Sequence, residues 1–416
     1  MDILRPIYLE RLIQRRDNGM AKVITGIRRC GKSYLLFNIF RRHLLEAGVP
    51  KERIVGVDLD GIENEGLREP HRLYSHIRER LAGNPGYVLI DEIQYVERFA
   101  DVVNGLMRLP GVDVYITGSN SRFLSTDILT EFRGRGDEVR VRPLSFAEYL
   151  PAHGGTPQAA WKDYYTFGGL PLTLSRPDDT ARMEYLASLF DTVYLRDICD
   201  RNRLRHLDEL NALTDILASA AGSLTSPHRI ENTFKSRQRK AVSDKTITAW
   251  IDFLADAFLL EGARQYDVRG RRHIDSPRKY YFTDTGLRNA RLGFREQDEN
   301  HLMETVIYNE LRARGYAVDV GMIEATEANG DGKRGRQRLE VDFVARRGND
   351  QCYIQSAFAL PTDAKAEQEY RPLRKIRDAF RKFVIVRDDI KAKRDADGIV
   401  TLGLWDFLLD RDSLAR

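Results

Sequence analysis

Residues Gly26-Ile27-Arg28-Arg29-Cys30-Gly31-Lys32-Ser33 read G-x-x-x-x-G-K-S, the spacing of a phosphate-binding loop. The setting fits. Lys22-Val23-Ile24-Thr25 has the make-up of a short buried strand, and Tyr34-Leu35-Leu36-Phe37-Asn38-Ile39-Phe40 starts an apolar helix. Each residue type has a task at this spacing. The glycines let backbone N–H groups close around a phosphate, and the helix N-terminus adds a dipole that favours an anion. Lys32 reaches the β- and γ-phosphates, and Ser33 offers its hydroxyl to Mg²⁺. The whole run from Gly26 to Tyr34 is therefore the expected ATP contact.

A second set of residues completes this chemistry. Tyr87-Val88-Leu89-Ile90-Asp91-Glu92 is four apolar residues ending in two carboxylates. That is the pattern of a central parallel strand delivering acids at its C-terminal edge, where open α/β sheets bind ligands. Asp91 is placed to support Mg²⁺, and Glu92 to act as general base toward water. A third strand, Val112-Asp113-Val114-Tyr115-Ile116, closes with Thr117-Gly118-Ser119-Asn120. Ser119 and Asn120 are the expected γ-phosphate sensors, although the same residues also make an ordinary turn. Further on, Phe132-Arg133-Gly134-Arg135-Gly136 presents arginines from a Gly-flanked loop. Arg133 or Arg135 serves as an arginine finger, in its own chain or from a neighbouring subunit, or else forms a solvated basic turn.

These runs, together with Leu89-Ile90-Asp91-Glu92-Ile93-Gln94 and Arg142-Pro143-Leu144-Ser145-Phe146-Ala147-Glu148-Tyr149, resemble a prokaryotic AAA-type ATPase family. The resemblance covers essentially the whole chain. It implies ATP and Mg²⁺ as cofactors and a C-terminal region read as a winged helix joined to a restriction-endonuclease-like module. One departure is Phe132, where the family more often has Leu.

The elements that must position these residues follow from length and pattern. A chain of 416 residues exceeds one hydrophobic core, so two or three domains are expected. With 42% hydrophobic and 31% charged residues the composition is that of a soluble globular protein. No run approaches the roughly 18 apolar residues of a membrane span, and Met1 to Pro6 lacks the layout of a signal peptide. Cys30, Cys199 and Cys352 are too scattered for a metal site or a structural disulfide, which points to a reducing cytoplasm.

Residues 1–150 are read as the ATPase domain, a parallel sheet with helices on both faces. Residues 151–224 are read as a helical linker. In 225–295, Ser243 caps a helix with Ile247, Trp250, Ile251 and Leu254 at helical spacing, and a basic turn, Val268-Arg269-Gly270-Arg271-Arg272, follows. That order predicts a winged helix. Residues 225–283 hold twelve Lys/Arg against seven acids, an excess of positive charge beyond that of the whole chain, +4. Arg237, Arg239, Lys240, Arg269, Arg271 and Arg272 within 235–272 are thus candidate contacts for duplex DNA; docking of a protein partner is the other reading.

Residues 296–416 are read as a degenerate restriction-endonuclease-like domain. Glu304 falls in a helix and Asp342 in a strand, with Glu340 on the same face. The place of the E-x-K element reads Gln355-Ser356-Ala357. A carboxylate and the ammonium are both missing there, so nuclease chemistry is not expected. Lys365 is the nearest substitute lysine in sequence. Glu324 to Arg338 reads as a mobile Gly-rich loop. The fold class is α/β, and the function expected is ATP binding and hydrolysis that drives or gates a C-terminal DNA- or protein-binding module. A slow ATP-loaded switch and an ATP-dependent nuclease are the rivals; assembly into a homo-oligomer stays open.

Overall fold

The computed structural model describes residues 3–118, 132, 134–204, 207–238, 242–328 and 334–415. The chain forms two compact units. One holds residues 1–143 with 170–172 and 256–258; the other holds 144–169, 173–255 and 259–416.

The first unit is built on five strands: β1 (Ala21–Thr25), β2 (Ile54–Asp58), β3 (Gly86–Asp91), β4 (Val112–Thr117) and β5 (Gly136–Arg140). They pair in the order β2-β3-β4-β1-β5, every pair parallel. β1 and β3 are buried at every residue. That is what their largely apolar runs dictate, since a parallel sheet is covered on both faces. The covering helices are amphipathic. Pro70–Leu81 buries Leu73, Ile77 and Leu81 at four-residue spacing. Phe99–Leu106 buries Phe99, Val102, Val103 and Leu106 against Val88, Ile90, Val114 and Ile116. Each fully buried side chain of this size contributes about 1.5–3 kcal/mol.

One strand residue breaks the apolar rule. Lys22 in β1 is fully buried, and its ammonium is bonded to Asp113 of β4. Asp113 also accepts the Tyr115 hydroxyl at 2.9 Å and the Asp17 N–H at 3.0 Å. The Lys22 ammonium stands 5.2 Å from the centre of the Tyr115 ring. The charge is thus neutralised inside the sheet by the neighbouring strand.

The second unit carries a nine-stranded mixed sheet. Its strands are β6 (Leu224–Thr225), β7 (Leu260–Asp267), β8 (Arg272–Phe282), β9 (Ala317–Ala328), β10 (Arg334–Arg347), β11 (Asp350–Ala357), β12 (Arg381–Val386), β13 (Lys393–Arg394) and β14 (Val400–Gly403). The order is β13-β14-β12-β11-β10-β9-β7-β8-β6. Among its helices, Phe146–His153 opens with a capping box between Ser145 and Glu148. Phe146 stacks on Trp405 with ring centres 5.7 Å apart and meets Trp161 and Tyr164 edge-on.

Two expectations change here. The helix Asp244–Asp256 and the hairpin β7–β8 occur in the predicted order, with the Ser243 Oγ accepting the Thr246 N–H at 3.2 Å. The hairpin does not stand as a small sheet of its own, however. β7 pairs in parallel with β9, Gln265 beside Val320 and Asp267 beside Met322. The sheet therefore runs across the expected boundary at 295/296. The physical reason is that a two-stranded hairpin leaves an unpaired edge and is marginal alone. The second change is the segment 324–338. Residues 324–328 and 334–338 are cross-strand partners in β9 and β10, from Glu324 opposite Arg338 to Ala328 opposite Arg334. Only 329–333 lie outside the described residues. Among the described residues, no helix is long and apolar enough to cross a membrane.

Removing one partner of a buried ion pair strands the other charge. Asp113→Ala is expected to cost about 3–5 kcal/mol. Adding Lys22→Met to that variant should recover most of the loss. Urea unfolding of the three proteins checks this, and a single variant as stable as wild type would show that the pair carries no stability.

Candidate functional site

Parallel pairing sends the C-terminal ends of β1, β3 and β4 to one edge. Residues 26–33 leave β1 at that edge, and the helix of residues 32–46 follows, its middle, Leu35–Phe40, wound as a π-helix. The backbone needs glycine at two places. Gly26 has φ +140°, and a Cβ there would lie 2.1 Å from the Val141 carbonyl oxygen. Gly31 has φ +97°. With Arg29 also at positive φ, the loop adopts the concave backbone that presents N–H groups to an anion.

The side chains sort by burial. Ile27 and Cys30 are buried, with Cys30 Sγ 3.6 Å from the Val141 oxygen. Arg28 is half-buried, Arg29 exposed, and Tyr34 half-buried at the helix start. Lys32 is buried, and its Nζ donates to the carbonyl oxygens of Gly26 at 2.9 Å and Ile27 at 3.2 Å. The ammonium thus stands within the turn of the loop.

Asp91 and Glu92 arrive at the same edge from β3. Asp91 is buried and hydrogen-bonded to Ser33 and to the Thr117 hydroxyl. Burial pushes its carboxyl above the ordinary range. The bonds from Ser33 and Thr117 oppose that shift, and the charges of Glu92 and Asp58 add to it. Glu92 sits at φ +49°, donates its N–H to Thr117 Oγ1 at 3.0 Å and takes a bond from the Gln94 amide. Thr117, fully buried at the tip of β4, therefore touches both acids. The hard oxygens of Ser33 and Asp91 suit Mg²⁺, and the concave loop with its lysine suits a nucleotide phosphate. These residues fit the expected ligands.

Other expected residues fall elsewhere. Ser119, Asn120 and Arg133 lie outside the described residues. Arg135 precedes β5 and gives its carbonyl to the Ala21 N–H at the start of β1. It stands at the opposite edge of the sheet, about 16 Å along a five-residue strand from the phosphate loop. That distance is a correction to Arg135 as a finger within its own chain. The sequence reading missed Arg5. This buried arginine donates to the Cys30 carbonyl at 2.9 Å and to the Arg142 carbonyl at 2.6 Å, with its guanidinium 4.7 Å over the Tyr8 ring. It braces the loop from behind. A lone Arg in front of Pro6 gave no spacing signal for that.

In the second unit, Glu304, Glu340 and Asp342 do come together. Their common neighbour is Lys279 of β8, not Lys365. The Lys279 Nζ is 2.6 Å from Glu340 Oε1, 2.9 Å from Glu304 Oε1 and 3.6 Å from Asp342 Oδ1. Lys365 instead pairs with Glu369 at 2.6 Å. The missed signal was a lysine two residues before Tyr281, at the buried C-terminal end of β8. At the tip of the β7–β8 hairpin, Arg269, Arg271 and Arg272 are exposed on a turn that Asp267 caps by accepting the N–H groups of Arg269 at 3.1 Å and Gly270 at 2.9 Å. Arg239 and Lys240 lie outside the described residues.

A parallel sheet of this strand order, with a glycine-turned phosphate loop on one strand and paired acids on the next but one, defines an AAA-type P-loop ATPase fold. A family model described as an AAA domain matches residues 18–150. A second, described as a domain of unknown function, matches 158–298. An uncharacterized protein of Haemophilus influenzae is 32% identical over 414 residues, covering 98% of each chain. The chain belongs to the same protein family as that relative. An uncharacterized protein of Methanocaldococcus jannaschii is 26% identical over 370 residues, covering 85% of this chain and 78% of its own. Among solved structures, a Walker-type ATPase of Pyrococcus abyssi is similar at 14% identity and a TM-score of 0.49, over 70% of this chain and 96% of its own.

The raised Asp91 carboxyl generates a prediction. A folded-state pKa above the unfolded value means that ionisation costs the fold stability, and the cost grows as pH rises through the folded pKa. Asn removes that charge while keeping an oxygen for Thr117 and Ser33. Asp91→Asn should therefore raise the Tm of the nucleotide-free protein at pH 7.5 and weaken Mg²⁺-dependent nucleotide binding. Scanning calorimetry with and without Mg²⁺ and ATP checks both; a lower Tm without nucleotide would refute the trade-off.

Proposed function

We propose that this protein binds ATP with Mg²⁺ and hydrolyses it at the edge formed by residues 26–33, 91–92 and 117, and that the nucleotide cycle drives or gates the C-terminal unit. The observation that carries the reading is the convergence of Lys32, Ser33, Asp91 and Glu92 on one sheet edge, with Thr117 joining the two acids. Lys32 holds phosphate oxygens. Ser33 and Asp91 hold Mg²⁺, which when bound offsets charge on the phosphates. Glu92 accepts the proton of the attacking water. Thr117 fixes the Asp91 carboxylate and the Glu92 backbone, so the general base is aimed by β4. An arginine supplied by a second copy of the chain fits the placement of Arg135 at the far edge.

The test separates binding from chemistry. Glu92→Gln should keep ATP binding and lose about 10²–10⁴-fold in turnover. Lys32→Ala should lose tight binding while remaining folded. Nucleotide titration and phosphate release measure the two quantities. Normal turnover in Glu92→Gln would assign the base to another residue, and turnover stimulated by DNA would separate a motor from a slow switch.

The exposed Arg269, Arg271 and Arg272 favour duplex DNA as the partner of the C-terminal unit. They offer phosphate contacts, so binding should be weak in sequence preference and should fall steeply with salt. Replacing all three by Ala should flatten the log K against log salt slope by roughly 2–3. If duplex DNA fails to bind wild type at low salt, the unit is a protein-docking module.

A further inference from the structure

The nuclease-like reading of the C-terminal domain implies a divalent metal among Glu304, Asp342 and the residue at Gln355. The residues present do not fit one. Lys279 is 4% exposed and projects its ammonium into the carboxylates from β8. The three oxygens stand 2.6–3.6 Å from Nζ. Those are hydrogen-bond and ion-pair distances, so the ammonium occupies the point on which the three carboxylates converge.

Other polar groups of the cluster are engaged as well. Tyr281 donates its hydroxyl to Glu304 Oε1 at 2.7 Å, the oxygen that Lys279 also bonds. The Ser356 N–H donates to Asp342 Oδ2 at 2.8 Å. Gln355, standing where a carboxylate ligand belongs, gives its amide N–H to Glu369 at 3.2 Å and accepts the Asp342 N–H at 3.4 Å. Among the described residues, no group of three or more His, Cys, Asp or Glu side chains is arranged to hold a metal ion. The electrostatics agree. Burial alone pushes the Lys279 ammonium toward losing its proton, but Glu304, Asp342 and Glu340 outweigh it and keep the group firmly charged. Burial raises the Asp342 carboxyl, with Glu304 adding to the shift while Lys279 and the Ser356 N–H oppose it.

We propose that Lys279 is the resident cation of this cluster: its ammonium takes the place of a divalent ion and locks β8, β10 and the helix Glu299–Ala313 together without metal. The lysine that the E-x-K element lacks at Ala357 has not been restored for catalysis. It sits among the carboxylates as their counter-ion, and three elements are tied at one atom.

The test uses the full chain without nucleotide, in an Asp91→Asn background that silences the phosphate site. Mn²⁺ titration followed by EPR should show no saturable site in this protein. A site of about one equivalent that disappears on Asp342→Asn would overturn the proposal, as would Mn²⁺-dependent DNA cleavage lost in Asp342→Ala. In parallel, Lys279→Met should lower Tm by roughly 5 °C or more, because buried carboxylates lose their partner. Adding Glu304→Gln and Asp342→Asn should restore at least half of that loss. If Lys279→Met does not fold, recovery of folded protein in the triple variant gives the same answer. Lys279→Met with unchanged Tm would overturn the counter-ion role.

Discussion

The proposed nucleotide site depends on one hydroxyl at the tip of β4. Thr117 gives its hydroxyl proton to Asp91 and receives the N–H of Glu92, so β4 and β3 agree on where two acids stand. Because β4 lies between β3 and β1, the same strand also sets the distance from those acids to the phosphate loop. A parallel sheet has no freedom to slip here. A one-residue shift of β4 would turn Thr117 to the other face and take one of two hydroxyl donors from a buried carboxylate. The strand order, the burial of β1 and β3 and the site geometry are thus a single constraint seen at three scales.

Much of the first unit was legible in the sequence for that reason. The glycines of the loop, the apolar run before it and the acids at the end of β3 each answer to local backbone or local charge. Arg135 was not legible. A Gly-flanked arginine reads the same at either edge of a sheet, and only the pairing of Gly136 with Ala21 tells which edge it occupies. Arg5 was hidden likewise, since its partners are carbonyl groups 25 and 137 residues away and carbonyls leave no trace in composition.

The second unit shows the opposite balance. Its strands and helices follow their patterns, yet their division into modules did not, because the edge of β7 is completed by β9 rather than by its own hairpin. The 324–338 segment misled through composition: glycines and mixed charges suit a loop, but its ladder is held by backbone pairing that side chains do not announce. Lys279 belongs to the same class. A charged residue at the buried end of a strand demands a partner, and here the partners come from two distant elements.

The division of the chain has a practical consequence for dissecting it. The first unit includes residues 256–258, and Phe258, 5% exposed, lies with its ring 4.7 Å beneath the Arg140 guanidinium. A fragment ending near residue 150, the natural place to cut from the family match, therefore leaves that arginine without its aromatic floor. It also leaves behind the three residues 170–172. A cut at that point therefore yields a first unit short of two segments that belong to its own fold.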